Sequence, residues 1–122
     1  MPSGNIAILT LTVTAAAVLA ANRFIDQDGT YPAAGGKPFG VTRFAATEAG
    51  QHLPVDVLGT TVVETGAAIA KDADLMVDAT GRVVPLTVGT KFPVARAMEA
   101  AAGAGAFIEI LLLPSAVASP AT

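Results

Sequence analysis

Two stretches of this chain carry nearly the same message. Residues 39–58 read "FGVTRFAATEAGQHLPVDVL" and residues 92–111 read "FPVARAMEAAAGAGAFIEIL". At a constant offset of 53, with no gap, Phe39 meets Phe92, Val41 meets Val94, Arg43 meets Arg96 and Gly50 meets Gly103, and six of the twenty positions are identical. The ends agree in kind, since Val55-Asp56-Val57-Leu58 becomes Ile108-Glu109-Ile110-Leu111. A repeat of this length restricts the fold severely. Whatever supersecondary unit one copy forms, the other must form as well, and the two must bury their apolar faces together.

The repeat extends upstream once a one-residue indel is allowed. Phe24-Ile25-Asp26-Gln27-Asp28-Gly29 resembles Met76-Val77-Asp78-Ala79-Thr80-Gly81 at an offset of 52, with Asn22 facing Asp74. Each half then reads as a short strand, an Asp-x-x-Gly turn, a Pro/Gly-rich connection, a strand, a Gly-centred turn and a further strand. β-Branched residues crowd residues 55–63 around Gly59, and the run 108–113, apolar but for Glu109, stops at Pro114. Gly29, Gly50, Gly81 and Gly103 fall where the chain must reverse, and glycine alone takes positive φ freely. Residues 95–104 are rich in Ala, Met and Glu and leave room for a short helical turn at residues 98–102. The matching residues 42–51 are poor helix formers, so the repeat argues for strand and loop in both copies.

The expected fold is therefore all-β, with at most one short helix: a compact β-barrel or sandwich-like body of two similar β units related by a pseudo-twofold axis. The expected organisation is an N-terminal arm and first strand over residues 1–14. A single β domain over residues 15–114 follows, with halves at about 15–58 and 67–111, and then a flexible C-terminal tail over residues 115–122.

Composition says how such a body must live. The chain has 122 residues, and only 14% are charged, against roughly 25% in an ordinary soluble domain. Mean hydropathy is +0.60. Alanine fills 26 positions and Phe plus Tyr only six, so few side chains supply the large buried areas that stabilise small folds. Such a chain exposes more apolar surface than a free monomer tolerates, and burial against other chains is the expected remedy. Seven Lys and Arg scattered among ten acids give no basic patch for nucleic acid. The absence of cysteine removes disulfides, thiolate catalysis and Cys-ligated zinc.

Residues 6–21 carry no charged side chain, but the run is too short for a membrane-spanning helix. No Lys or Arg precedes it, as a secretory signal requires, and Thr10, Thr12 and Thr14 alternate with Leu9, Leu11 and Val13. Period two reads as a strand. The small polar residues Pro2, Ser3, Gly4 and Asn5 lead directly into Ile6 and Ile8. An extended arm of this kind can add its backbone to a partner's strand while the two isoleucines fill alternate pockets. These six residues are the candidate contacts to a partner.

Catalytic and metal-binding patterns fail on their spacing. His52, the only histidine, has no nucleophile or carboxylate gathered around it in sequence. Asp26-Gln27-Asp28-Gly29-Thr30 opens like a calcium loop, but Tyr31 and Lys37 stand where glycine and glutamate are required; these aspartates read as turn caps. Gly35-Gly36-Lys37 is followed by Pro38 rather than Ser or Thr and lacks the earlier glycine of a phosphate loop. No catalytic, cofactor or metal site is expected. Arg43 and Arg96 stand out because both copies hold them, each two residues after Val. They read as rim residues paired with Asp56 or Glu109, or else as contacts to a partner protein.

The runs "ANRFI", "GGKPFGVTRF", "VDVLGTTVVETGAAIAKDADLMVDATGRVVPL" and "VARAMEAAAGAGAFIEILLLP" resemble the small capsid-cement, or head-decoration, proteins of tailed bacteriophages. This family was long carried as a domain of unknown function and often labelled predicted phage recombinase. The likeness covers about residues 9–114. It implies a β-rich, non-enzymatic protein made in the host cytoplasm that binds the outside of the phage head. Its partners would be the major capsid protein and its own copies, as a trimer, with no nucleic acid, membrane or cofactor. The recombinase label gains nothing, because the phosphate loop is absent. Two alternatives from other classes stand beside it: a trimeric β-barrel enzyme or ligand-binding domain with sites between subunits, and a secreted β adhesin domain.

Overall fold

The computed structural model describes residues 6–87 and 93–112. It contains eight strands and, among the described residues, no helix. They are β1 (Ala7–Thr14), β2 (Phe24–Ile25), β3 (Gly40–Thr42), β4 (His52–Glu64), β5 (Asp74–Val77), β6 (Val83–Pro85), β7 (Ala95–Ala97) and β8 (Phe107–Leu112). All strand pairs are antiparallel, and the sheet runs β2-β3-β4-β8-β7-β5-β6 with β1 on β4. It curls into a half-barrel. The helical turn expected at residues 98–102 does not form: these residues are bends around an isolated bridge from Ala101 to Ile69. Tertiary pairing overrides the helix propensity of alanine there.

The backbone bonding pattern occurs twice, but not at the offset read from the identities. In the first unit Ala15 N donates to Gln51 O, Gly50 N to Ala15 O, Asn22 N to Thr42 O, Phe39 N to Ile25 O and Arg43 N to Pro54 O. The second unit repeats these as Thr65 to Ala106, Gly105 to Thr65, Asp72 to Ala97, Val94 to Leu75 and Met98 to Glu109. The opening strands are thus shifted by 50 residues and the closing strands by 55. The pair Thr14↔His52 of β1 and β4 becomes Glu64↔Phe107 of β4 and β8, and Val13↔Leu53 becomes Val63↔Ile108. Asn22 and Asp72 both adopt positive φ, at 59° and 67°. Gly50 and Gly105 do so too, at 90° and 85°, so Gly105 rather than Gly103 is the partner of Gly50.

The aspartate turns keep the offset of 52. Asp26 Oδ1 accepts from the amides of Asp28 and Thr30, and Asp78 Oδ1 from those of Thr80 and Arg82. Gly29 and Gly81 close the two turns at φ 80°. The second unit therefore gains two residues before its turn and three after it.

β4 serves both units. Its first half pairs with β1 and β3 and its second half with β8. The change falls at Gly59, where φ is 101° and an added Cβ would overlap the Ile6 carbonyl oxygen. β1 takes up register shifts opposite this point, between Ala7 and Leu9 and between Leu9 and Thr10.

Two apolar clusters form the core. One holds Val13, Leu19, Ile25, Leu53 and Val55 of the first unit. The other holds Val63, Ile69, Leu75, Val94, Ile108 and Ile110 of the second, together with Phe24 and Val41 from the first. The first unit thus lends two side chains to the core of the second. Backbone bonds join the units as well, from Phe24 N to Gly81 O and from Gly35 N to Val77 O.

Candidate interaction surface

Arg43 and Arg96 do not occupy equivalent places. Arg43 corresponds to Met98, and Arg96 to Val41. Arg43 Nε donates to Asp56 Oδ1 at 2.7 Å, and Asp56 is fully buried. Thr10 Oγ1 donates to the same carboxylate oxygen at 3.0 Å, and Thr61 Oγ1 to the other at 2.9 Å. A buried carboxylate needs such donors, and these tie β1, the residue after β3 and both halves of β4 together. Arg96 lies 3.8 Å from Asp72, not beside Glu109, with both side chains more than half exposed.

A second polar cluster joins the units. Arg23 Nε and Nη2 reach Glu64 Oε1 at 3.2 and 3.0 Å, Arg82 Nη1 lies 3.6 Å from Glu64 Oε2, and Arg23 Nη1 donates to Thr80 O. These charges are committed to holding the body rigid. His52 opens β4 on the surface, its Nδ1 2.9 Å from Thr14 Oγ1. Among the described residues no group of His, Asp and Glu could hold a metal ion.

What remains for recognition is apolar surface, and the two units present it differently. Directly opposed residues share one face of a sheet. On that face the first unit carries Thr10, Thr12 and Thr14 against Asp56, Pro54 and His52. The second carries Thr60, Val62 and Glu64 against Leu111, Glu109 and Phe107. Phe107, Leu111 and neighbouring Met98 are exposed, so the second unit presents apolar side chains where the first has His52, Asp56 and Arg43, while Glu109 stands in the place of Pro54. The first unit has its own apolar opening. Leu9 and Leu11 of β1 are 44% and 39% exposed, and with Phe39, Val57, Leu58 and Lys37 they line a groove of about 320 Å³. Ile6, just before β1, and Ile8 within it are 71% and 76% exposed. The Ile6 carbonyl accepts from Thr60 N, so the strand's entry is fastened even where its side chains are open. Pro2, Ser3, Gly4, Asn5, Phe92 and residues 113–122 lie outside the described residues.

Ile6 and Ile8, which the sequence singles out by their alternation, are exposed. The groove beside Leu9 and Leu11 was not foreseen, because alternation separates the two faces of a strand without saying which one is left open. Nor was the Phe107 row, because the shifted register hid what that row replaces.

Comparison with known proteins adds two findings. A family model described as phage cement protein matches residues 2–112. Among solved structures, the N base of head fiber gp8.5 in bacteriophage phi29 superposes with a TM-score of 0.73 at 18% identity, covering 88% of this chain and 95% of that one. No curated protein sequence matches the chain.

Proposed function

The chain belongs to the phage cement protein family, and from that premise we propose that it binds the outer surface of an assembled phage head, bridges neighbouring capsid subunits and stabilises the expanded shell. It does so as a homotrimer, without catalysis and without nucleic acid or membrane as a partner. The observation that carries this reading is the pairing of a rigid frame with open apolar surface. The buried Asp56 cluster, the Arg23–Glu64–Arg82 cluster and the shared strand β4 fix the body. Ile6, Ile8, Phe44, Met98 and Phe107 remain exposed on it. A rigid body that touches several capsid subunits only in the expanded shell shifts the equilibrium toward that shell by mass action.

The arm contributes part of the contact in this reading. Pro2, Ser3, Gly4 and Asn5 extend along a capsid strand, while Ile6 and Ile8 enter pockets beside it. Arg43 serves the fold, and Arg96 is left as a rim contact.

The test is binding of purified chain to expanded, undecorated heads, followed by thermal disruption of the heads. Bound chain should raise the disruption temperature, and heads of unchanged stability at saturation would overturn the bridging role. Deleting residues 2–5 should leave the thermal transition of the free chain nearly unchanged and weaken head binding; unaltered binding would remove the arm from the account. Sedimentation of free chain and a density map of decorated heads test the trimer separately.

A further inference from the structure

In the second unit the opening strand is the latter half of β4, and its outer side is covered by the first unit. Asn22 O accepts from Glu64 N at 2.9 Å, Asn22 Nδ2 donates to Val62 O at 3.0 Å, and Phe24 and Val41 enter the core alongside. In the first unit the same position belongs to β1. β1 has β4 as its one strand neighbour among the described residues, and the groove beside Leu9 and Leu11 stands open. The fold thus shows once, within itself, what completes this strand: extended backbone along the edge and apolar side chains in the groove.

A further copy of this chain cannot complete it in the same way. The second-unit residues that correspond to Phe24 and Val41, a directly opposed pair of β2 and β3, are Asp74 and Arg96, a directly opposed pair of β5 and β7. Both are exposed and charged. Driving them against leucines would strip an opposed pair of opposite charges of its water, a desolvation cost that the apolar pair Phe24 and Val41 does not carry. The charges end the internal repeat at two units and leave the groove for a different occupant.

We infer that this occupant is an extended apolar segment of the capsid subunit. It lies along the outer edge of β1, with side chains at alternate positions in the groove of Leu9, Leu11, Phe39 and Val57. The inference rests on the capsid-binding reading above and places a second contact beside the arm. Lys37 lines the groove and forms no ion pair among the described residues. The segment accordingly carries an acidic residue at that end.

The experiment measures binding of three chains to undecorated heads: the unaltered chain, Leu9→Lys with Leu11→Lys, and Ala70→Lys as an exposed reference that adds a charge elsewhere. Amide hydrogen exchange of β1 is followed in free and bound chain. The paired leucine variant should melt like the unaltered chain and bind at least about tenfold more weakly, while Ala70→Lys binds normally. β1 amides should exchange more slowly on the heads. Leucine variants that bind within about twofold of the unaltered chain would overturn the inference, as would β1 amides unprotected on the heads. An unaltered chain that ignores the heads would remove the capsid-binding reading and the inference with it, an outcome distinct from normal binding by the leucine variant.

Discussion

Arg43→Met and Arg96→Met separate the two ways of aligning the repeat. If the arginines were equivalent, as the 53-residue offset pairs them, the two substitutions would cost about the same. The structure makes them unequal. Arg43 holds a fully buried carboxylate at 2.7 Å, with its own side chain 35% exposed. Removing one partner of a buried ion pair costs about 3–5 kcal/mol. Thr10 and Thr61 still donate to Asp56, and water can follow the half-open path that Arg43 vacates, so a loss of about 2–3 kcal/mol is expected. For a chain of this size that lowers the thermal midpoint by about 10 °C. Arg96 faces Asp72 at 3.8 Å with both side chains in water, and its loss should cost less than about 0.5 kcal/mol. Circular dichroism melts and urea titrations of both variants decide it, with Asp56→Asn added in the Arg43→Met background. The second change should then cost less than it does alone, because the uncompensated charge has gone. Equal losses for Arg43→Met and Arg96→Met would refute the reasoning.

Glycines test the same register, and the switch point of β4, by another route. Gly50→Ala and Gly105→Ala place a side chain at φ 90° and 85° in open space, so each should cost about 1 kcal/mol of strain in urea titration. Gly103→Ala, which meets neither positive φ nor a neighbour, should be nearly silent. Gly59→Ala adds steric overlap with Ile6 O and crowding of Ile8 N at 2.9 Å to a φ of 101°. It should cost more than Gly50→Ala, about 2 kcal/mol or above, with faster amide exchange concentrated at the start of β1.

The all-β character was legible because alternation marks the sequence of β1 and the burial of β5 and β7, and because glycines punctuate the turns between strands. The register of the repeat was not, for a physical reason. Side chains alternate across a sheet, so a shift of two residues leaves every apolar position on the same face. An offset of 53 lays Val55 and Val57 on Ile108 and Ile110; the observed 55 lays Leu53 and Val55 there instead. Both satisfy the pattern, and only the first gathers the chance agreements Phe39 with Phe92 and Arg43 with Arg96. Hydrogen-bond direction and the sign of φ distinguish them, and neither is written in residue type. Gly50 had two candidate partners two residues apart, and only Gly105 has the left-handed φ.

The candidate surface was illegible for a related reason. It lies where the copies differ, and differences are visible only in the true register. Once Asp56 is laid on Leu111, His52 on Phe107 and Arg43 on Met98, three polar positions become exposed apolar ones, while Pro54 gives way to Glu109. Laying Phe24 on Asp74 and Val41 on Arg96 turns a buried plug into a charged end. The same strand frame occurs twice, and what one unit uses to close itself the other leaves open. The proposed bridging of different capsid neighbours calls for faces that are alike in backbone and unlike in chemistry, and two units with one bonding pattern and different surfaces meet that need.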